Sequence, residues 1–237
     1  MFKEMKVKIY ADGAQLESMI EEYNKGFVKG FTTNPSLMKK AGVKDYKEFS
    51  KSVLEKIKDM PISFEVFSDE KDKMIKEAQE IATWGKNVYI KVPVVDTKGS
   101  FTGEVIRELA NQGIKVNVTA VFTINQVHEI LSCLNKDTLA IISIFAGRIA
   151  DTGVDPTSIV KEAVEMAKEY NNVEILWASC RELYNIFQAD DSGCHIITVQ
   201  NNLLNKWNLV GKDLNSYSVE TVNDFYKDAK SLGFSIL

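Results

Sequence analysis

Apolar residues in this chain gather into short, nearly continuous runs that alternate with longer stretches of helical period. The runs fall at residues 7–12, 28–33, 61–67, 87–94, 114–122, 139–145, 173–179 and 195–199. They are rich in Val, Ile and Phe and are set off by Gly, Pro, Asn or Asp, as buried strands are. Residues 14–23, 36–41, 45–60, 70–84, 101–111, 124–134, 156–170 and 181–189 repeat their apolar positions every three or four residues, as amphipathic helices do. Strands separated by helices in this way predict an α/β fold whose parallel sheet closes into a (β/α)8 barrel. A doubly wound open sheet is the competitor. It is expected to carry a Gly-rich turn after its first strand, and Asp12-Gly13-Ala14-Gln15 is not one. Past the eighth strand come a short amphipathic segment at 202–207 and a last helix at 218–232, where Val219, Val222, Phe225 and Ala229 form an apolar stripe. Residues 1–237 are thus read as a single barrel domain, with 218–232 as an extra C-terminal helix.

The 237 residues suit one such barrel, typically ~250 residues long. Hydrophobic residues make up 45% of the chain, enough for a full core. A net charge of −4 gives no reason to expect nucleic acid or an acidic membrane surface as partner. Cys133, Cys180 and Cys194 lie far apart without a CxxC spacing, which suits free thiols in a reducing compartment. Residues 1–8 alternate charge with hydrophobe and lack the apolar run of a leader, and no stretch approaches the ~18 apolar residues of a membrane span. The expected location is the cytoplasm.

Candidate chemistry centres on Lys91, set in the fourth strand among Val88, Tyr89, Ile90 and Val92. Strand alternation puts Tyr89 and Lys91 on one face and Val88, Ile90 and Val92 on the other. Two readings follow. If the sheet is covered on both sides, Lys91 is withdrawn from water, and a desolvated amine is a nucleophile suited to Schiff bases with carbonyl compounds. If the strand is an edge, the ammonium rests in solvent.

The other strands bear on that choice. Polar residues interrupt them near their C-terminal ends: Asp12 in the first, Thr33 and Asn34 at the second, Glu65 in the third, Asn117 and Thr119 in the fifth, Ser143 in the sixth and Ser179 after the seventh. Singly, each has a structural explanation, such as a helix cap for Asp12. Together they would leave many unsatisfied polar groups in one core, so a shared site at the carboxyl ends of the strands explains them better. Arg148 and Arg181 follow the sixth and seventh strands and, with Ser179, could clamp a phosphate. Alternatively, the arginines pair with Asp151, Asp155 or Glu182 at the surface.

Taken together, Ala11-Asp12, Thr32-Thr33-Asn34-Pro35-Ser36-Leu37, Phe64-Glu65-Val66, Ile90-Lys91-Val92-Pro93, Asn117-Val118-Thr119, Ser143-Ile144-Phe145-Ala146-Gly147-Arg148 and Ala178-Ser179-Cys180-Arg181 resemble, in order and over nearly the whole chain, the short-chain branch of the transaldolase family. The resemblance implies a Schiff base between Lys91 and the ketone of a ketose phosphate such as fructose 6-phosphate. Asp12 would take and return the proton of the hydroxyl beside the breaking bond. Glu65, through a water shared with Thr119, would move protons as the carbinolamine forms and dehydrates. Asn34, Asn117 and Ser143 would bind hydroxyls of the three-carbon fragment, Thr33 would line the site, and Arg148, Ser179 and Arg181 would hold the phosphate. The fragment would pass to an aldose phosphate, with no metal or organic cofactor, as in the pentose phosphate pathway. A sister branch releases free dihydroxyacetone and carries Gln at the position of Glu65 and Tyr at that of Phe145. Glu65 and Phe145 match the transferase pattern. A barrel that only binds sugar phosphates would be expected to lack one of Asp12, Glu65 or Lys91, and all three are present. The branch also implies homo-oligomers, pentamers or decamers, in which the last helix reaches a neighbour. Trp177 is bulkier than the resemblance leads one to expect, and by parity with Ser179 it is expected to face the same side, narrowing the phosphate end or shifting the substrate.

Overall fold

In the computed structural model, which describes residues 5–234 and 236, eight parallel strands close into a barrel in chain order. They are β1 (Lys8–Asp12), β2 (Phe31–Thr32), β3 (Ile62–Glu65), β4 (Val88–Pro93), β5 (Val116–Val121), β6 (Ala140–Ile144), β7 (Val173–Trp177) and β8 (Ile196–Gln200), and β8 pairs back onto β1. The barrel expected from the alternation is the fold. The first four residues of the segment read as lacking a leader lie outside the described residues.

Packing divides the chain into two compact units, one ending at Leu204 and the other beginning at Asn205. The first holds the strands and the helices α1 (Leu16–Lys25), α2 (Pro35–Ala41), α3 (Tyr46–Lys56), α4 (Lys71–Ala82), α5 (Gly103–Asn111), α6 (Ile124–Leu131), α7 (Ala146–Asp151), α8 (Thr157–Ala167), α9 (Tyr184–Asp191) and α10 (Asn201–Leu204). Local chemistry sets several of their starts. Asn34 accepts from Leu37 N at 2.9 Å with Pro35 at the first helical position, and Asp45 accepts from Glu48 N at 2.8 Å. Thr123 and Gln126 close a capping box on α6. In the second unit, α11 (Leu214–Ser231) begins a turn earlier than expected because Asp213 caps it through Ser216 N. Its Leu214, Val219, Val222, Phe225 and Tyr226 are exposed.

Strand residues alternate between the two faces of the barrel wall. Tyr10, Tyr89, Ile141, Leu176, Ala178 and Ile196 pack as one cluster with Phe145 against them. Their neighbours along the strands, such as Val88, Ile90, Val92, Ile142 and Ile175, are buried on the opposite, helix-covered face. Burial on both faces is why the strands read as near-continuous apolar runs. It also decides between the two readings of Lys91, which is 6% exposed. β4 is not an edge.

Two residues other than glycine take left-handed backbone, Ala120 (φ 58°) and Ser179 (φ 65°). Ala120 lies in a bulge of β5 between Val118 and Val121, where register with β6 shifts. Ser179 follows β7 and ends its alternation, so parity with Ser179 does not place Trp177. Leu176 and Ala178 face inward; Trp177 between them faces outward, buried at 1% exposure. The expectation that Trp177 narrows the site is therefore corrected.

Candidate active site

Parallel register builds the site. Glu65 of β3 pairs with Lys91 of β4, and Lys91 with Asn117 of β5, while Asp12 of β1 pairs with Thr32 of β2 and Gln200 of β8. Asp12, Thr32, Glu65, Lys91 and Gln200 lie toward the carboxyl ends of their strands, where a cleft of about 430 Å³ opens; Asn117, expected at that end of β5, is its second residue and sits lower in the barrel. Among the expected site residues, all but Thr33 and Asn117 line it.

Lys91 Nζ donates to the Thr33 carbonyl at 2.8 Å and lies 3.0 Å from Glu65 Oε2. Such a buried pair persists because the attraction and the added hydrogen bond offset the loss of hydration. Glu65 is itself held by Tyr46, whose hydroxyl accepts from Glu65 N at 2.8 Å and donates to Glu65 O at 3.0 Å. Thr33 serves the site through its backbone: its hydroxyl turns away to the Ser63 carbonyl at 2.9 Å and the side chain is fully buried.

Asn117 lies beneath the cleft floor. Its Nδ2 donates to Ser63 Oγ at 3.0 Å and its Oδ1 accepts from Ser143 Oγ at 2.6 Å. Ser143 lines the cleft, so Asn117 orients a hydroxyl that a bound molecule can meet. Thr119 Oγ1, also lining the cleft, is buried without a hydrogen-bond partner among the described residues. An orphaned hydroxyl facing a polar cleft suits a ligand group or an ordered water. Asn34 Oδ1 is committed to capping α2, which leaves its amide nitrogen for a ligand.

Asp12 accepts from Thr32 Oγ1 at 2.8 Å. Burial holds its carboxyl above the ordinary aspartate range; the Lys91 ammonium and the Thr32 hydrogen bond pull the other way, and the Glu65 charge adds to the rise. A carboxyl raised in this way holds a proton more readily than an ordinary aspartate, which suits a group that must accept one and hand it back.

At one end of the cleft stand Arg148, Ser179 and Arg181. Arg148 projects from α7, a six-residue helix that is not among those expected from the sequence. Its guanidinium lies 5.5 Å from the Phe145 ring centroid, and no carboxylate pairs with it among the described residues. Gly147 is required by its neighbour, since a Cβ there would fall 1.6 Å from the Ser179 carbonyl oxygen. Arg181 makes two contacts with the Asp151 carboxylate, Nε at 3.2 Å and a closer one through Nη2. The surface pairing weighed as its alternative role is thus present, at the cleft's edge and half exposed.

Sequence reasoning missed Thr32, Tyr46, Ser63, Thr198 and Gln200. Thr32, Thr198 and Gln200 line the cleft, and the period of two running up β8 from Ile196 carried the signal for the last two. Tyr46 reaches Glu65 from the start of α3, a contact with no local signature. Among the described residues, no group of three or more His, Cys, Asp or Glu side chains is placed to hold a metal ion. No helix among them is long and apolar enough to cross a membrane, and Cys133, Cys180 and Cys194 are free and buried.

The family model described as Transaldolase/Fructose-6-phosphate aldolase matches residues 9–236. A protein of Thermoanaerobacter sp. (strain X514) named probable transaldolase is 37% identical over 194 residues, 81% of this chain and 85% of its own. Another so named, from Herpetosiphon aurantiacus, is 32% identical over 216 residues, covering 91% and 92%. Among solved structures, a dihydrodipicolinate synthase family protein of Coccidioides immitis superposes with a TM-score of 0.58 at 10% identity, over 84% of this chain and 68% of its own. At that identity the likeness speaks for the barrel alone.

Proposed function

The chain belongs to the transaldolase/fructose-6-phosphate aldolase family, and from that premise we propose that it is a transaldolase moving a dihydroxyacetone unit from a ketose phosphate to an aldose phosphate through a Schiff base on Lys91. The observation that carries this reading is a buried lysine 3.0 Å from a carboxylate, with a second, raised carboxyl in the same cleft. Glu65 accepts the ammonium proton, and the Lys91 amine attacks the ketone carbon of fructose 6-phosphate. Glu65, with a water at Thr119, returns protons as the carbinolamine loses water to become the imine. Asp12 then removes the proton of the C4 hydroxyl. The C3–C4 bond breaks, glyceraldehyde 3-phosphate leaves, and the electron pair moves into the enamine on Lys91.

The enamine attacks an acceptor aldehyde such as erythrose 4-phosphate, Asp12 gives its proton to the new alkoxide, and hydrolysis frees the lysine. Arg148, Ser179 and Arg181 hold the phosphate of donor and acceptor in turn, while Asn34 and Ser143, the latter oriented by Asn117, hold hydroxyls of the fragment. Phe145 offers no hydroxyl to protonate the enamine, which favours transfer over release of free dihydroxyacetone. The chemistry asks for no metal or organic cofactor.

The reading places the protein in the cytoplasm, in the pentose phosphate pathway, consistent with three free buried thiols. It also makes it a homo-oligomer, a role to which the exposed apolar side chains of α11 are suited. The deciding experiment is release of glyceraldehyde 3-phosphate from fructose 6-phosphate with and without erythrose 4-phosphate, paired with borohydride trapping. Release that needs the acceptor and an adduct on Lys91 are expected. Equal release without acceptor makes the protein an aldolase, and an unmodified Lys91 overturns the mechanism.

A further inference from the structure

Behind Asp12 lies a second hydroxyl. Thr32 Oγ1 donates to Asp12 Oδ1 at 2.8 Å and also stands 2.5 Å from Thr198 Oγ1, with both threonines buried. A hydroxyl carries one proton. While Thr32 gives its own to the ionised carboxylate, the contact between the two threonines has to be a donation from Thr198. The chain therefore has one direction, from Thr198 of β8 to Thr32 of β2 to Asp12 of β1. If Asp12 took a proton on Oδ1, Thr32 would have to turn its own toward Thr198, and the Thr198 proton would lose its acceptor. The arrangement thus resists a proton on Oδ1, favours the charged carboxylate as the stronger acceptor, and holds it in one orientation.

We infer that Thr198 is a positioning residue for proton transfer by Asp12, acting through Thr32 to keep the carboxylate ionised and fixed across from Lys91. This rests on the role proposed above for Asp12. The other groups facing that carboxyl are the Lys91 ammonium of β4, which favours its charge, the Glu65 carboxylate of β3, which opposes it, and the Cys180 thiol beyond β7. None of them can replace the threonine pair, because none makes a hydrogen bond to Asp12.

Thr198→Val removes the donor at nearly constant shape. Thr32 then loses the partner that fixes its hydroxyl, and the ionised carboxylate loses part of its support. The expected result is a fall of about tenfold in kcat and an acidic limb of the kcat profile displaced to higher pH. Imine trapping on Lys91 should stay at the wild-type level, since that step uses Glu65. Thr198→Ser should restore both kcat and the limb. An acidic limb that does not move in the folded valine variant, whatever its kcat, overturns the inference. Should the valine variant fail to fold, Thr198→Ala set against Thr198→Ser gives the same contrast. Asp12→Asn separates the two levels of argument. If that variant still cleaves fructose 6-phosphate at the wild-type rate, the role of Asp12 falls; if it traps the imine without cleaving while Thr198→Val keeps the wild-type limb, only the role of Thr198 falls.

Discussion

Glu65 and Lys91 are partners in register as well as in charge. They are paired residues of β3 and β4, and their side chains meet with 3.0 Å between Oε2 and Nζ. A carboxylate so placed can take the ammonium proton without either side chain leaving its rotamer. Glu65→Gln keeps the shape and removes the base. Imine formation, followed as the rate of borohydride trapping with fructose 6-phosphate, is expected to slow by about 100-fold or more, the usual scale of a lost general acid–base. An unchanged trapping rate would show that protons reach Lys91 by another route.

Gly147 ties α7 to the turn at Ser179. A methyl group there would sit 1.6 Å from the Ser179 oxygen and 2.7 Å from its carbonyl carbon, both backbone atoms with no rotamer to yield. Gly147→Ala should cost about 2–3 kcal/mol of stability in denaturant melts, the upper range of overpacking. It should also raise KM for phosphorylated donors, because Arg148 and Ser179 are the groups pushed apart. A midpoint equal to wild type would show that the Ser179 turn is looser than its left-handed backbone implies.

The period of two inside apolar strands made most of this site legible. Asp12, Glu65, Lys91 and Ser143 announce themselves as polar interruptions with the right parity, and their strand ends place them together. Thr33 shows the limit of reading by residue type: parity with the inward Thr32 and Asn34 sends its side chain outward, and what the site uses is its carbonyl. Trp177 shows the limit of parity. A serine in left-handed backbone carries no mark in the sequence, so counting back from Ser179 reached the wrong face. Tyr46 was invisible for a third reason, since its contact with Glu65 spans 19 residues and depends on how α3 lies on the barrel.

Arg181 is shared between a surface carboxylate and the cleft. Its pair with Asp151 is half exposed on both sides, and pairs of that kind contribute about 0–1 kcal/mol. Asp151→Asn should therefore leave stability within about 1 kcal/mol of wild type. It should lower KM for the sugar phosphate, because the guanidinium no longer divides its donors. Arg181→Ala should raise KM with a smaller effect on kcat. Steady-state kinetics of the two variants test this, and a KM that rises in Asp151→Asn would mean the carboxylate aims the arginine at the phosphate.

Asp12 sets a pH dependence whose sign follows from its surroundings. Its folded carboxyl binds a proton more tightly than the ordinary value of 3.8, chiefly because it is buried. Between that value and the raised one the native state holds more protons than the unfolded chain, so stability falls as pH rises through the window. Above it, the charged carboxylate is a standing cost that Lys91 and Thr32 only partly relieve. Asp12→Asn removes the charge while leaving a group able to accept from Thr32. It should raise the melting temperature at pH 7, and the gain should shrink as the pH is lowered toward 3.8. The same variant should lose carbon–carbon cleavage, so stability and activity move in opposite directions at one residue. A melting temperature that drops at pH 7 would mean that attraction to Lys91 outweighs burial, and that Asp12 rests below the ordinary aspartate range.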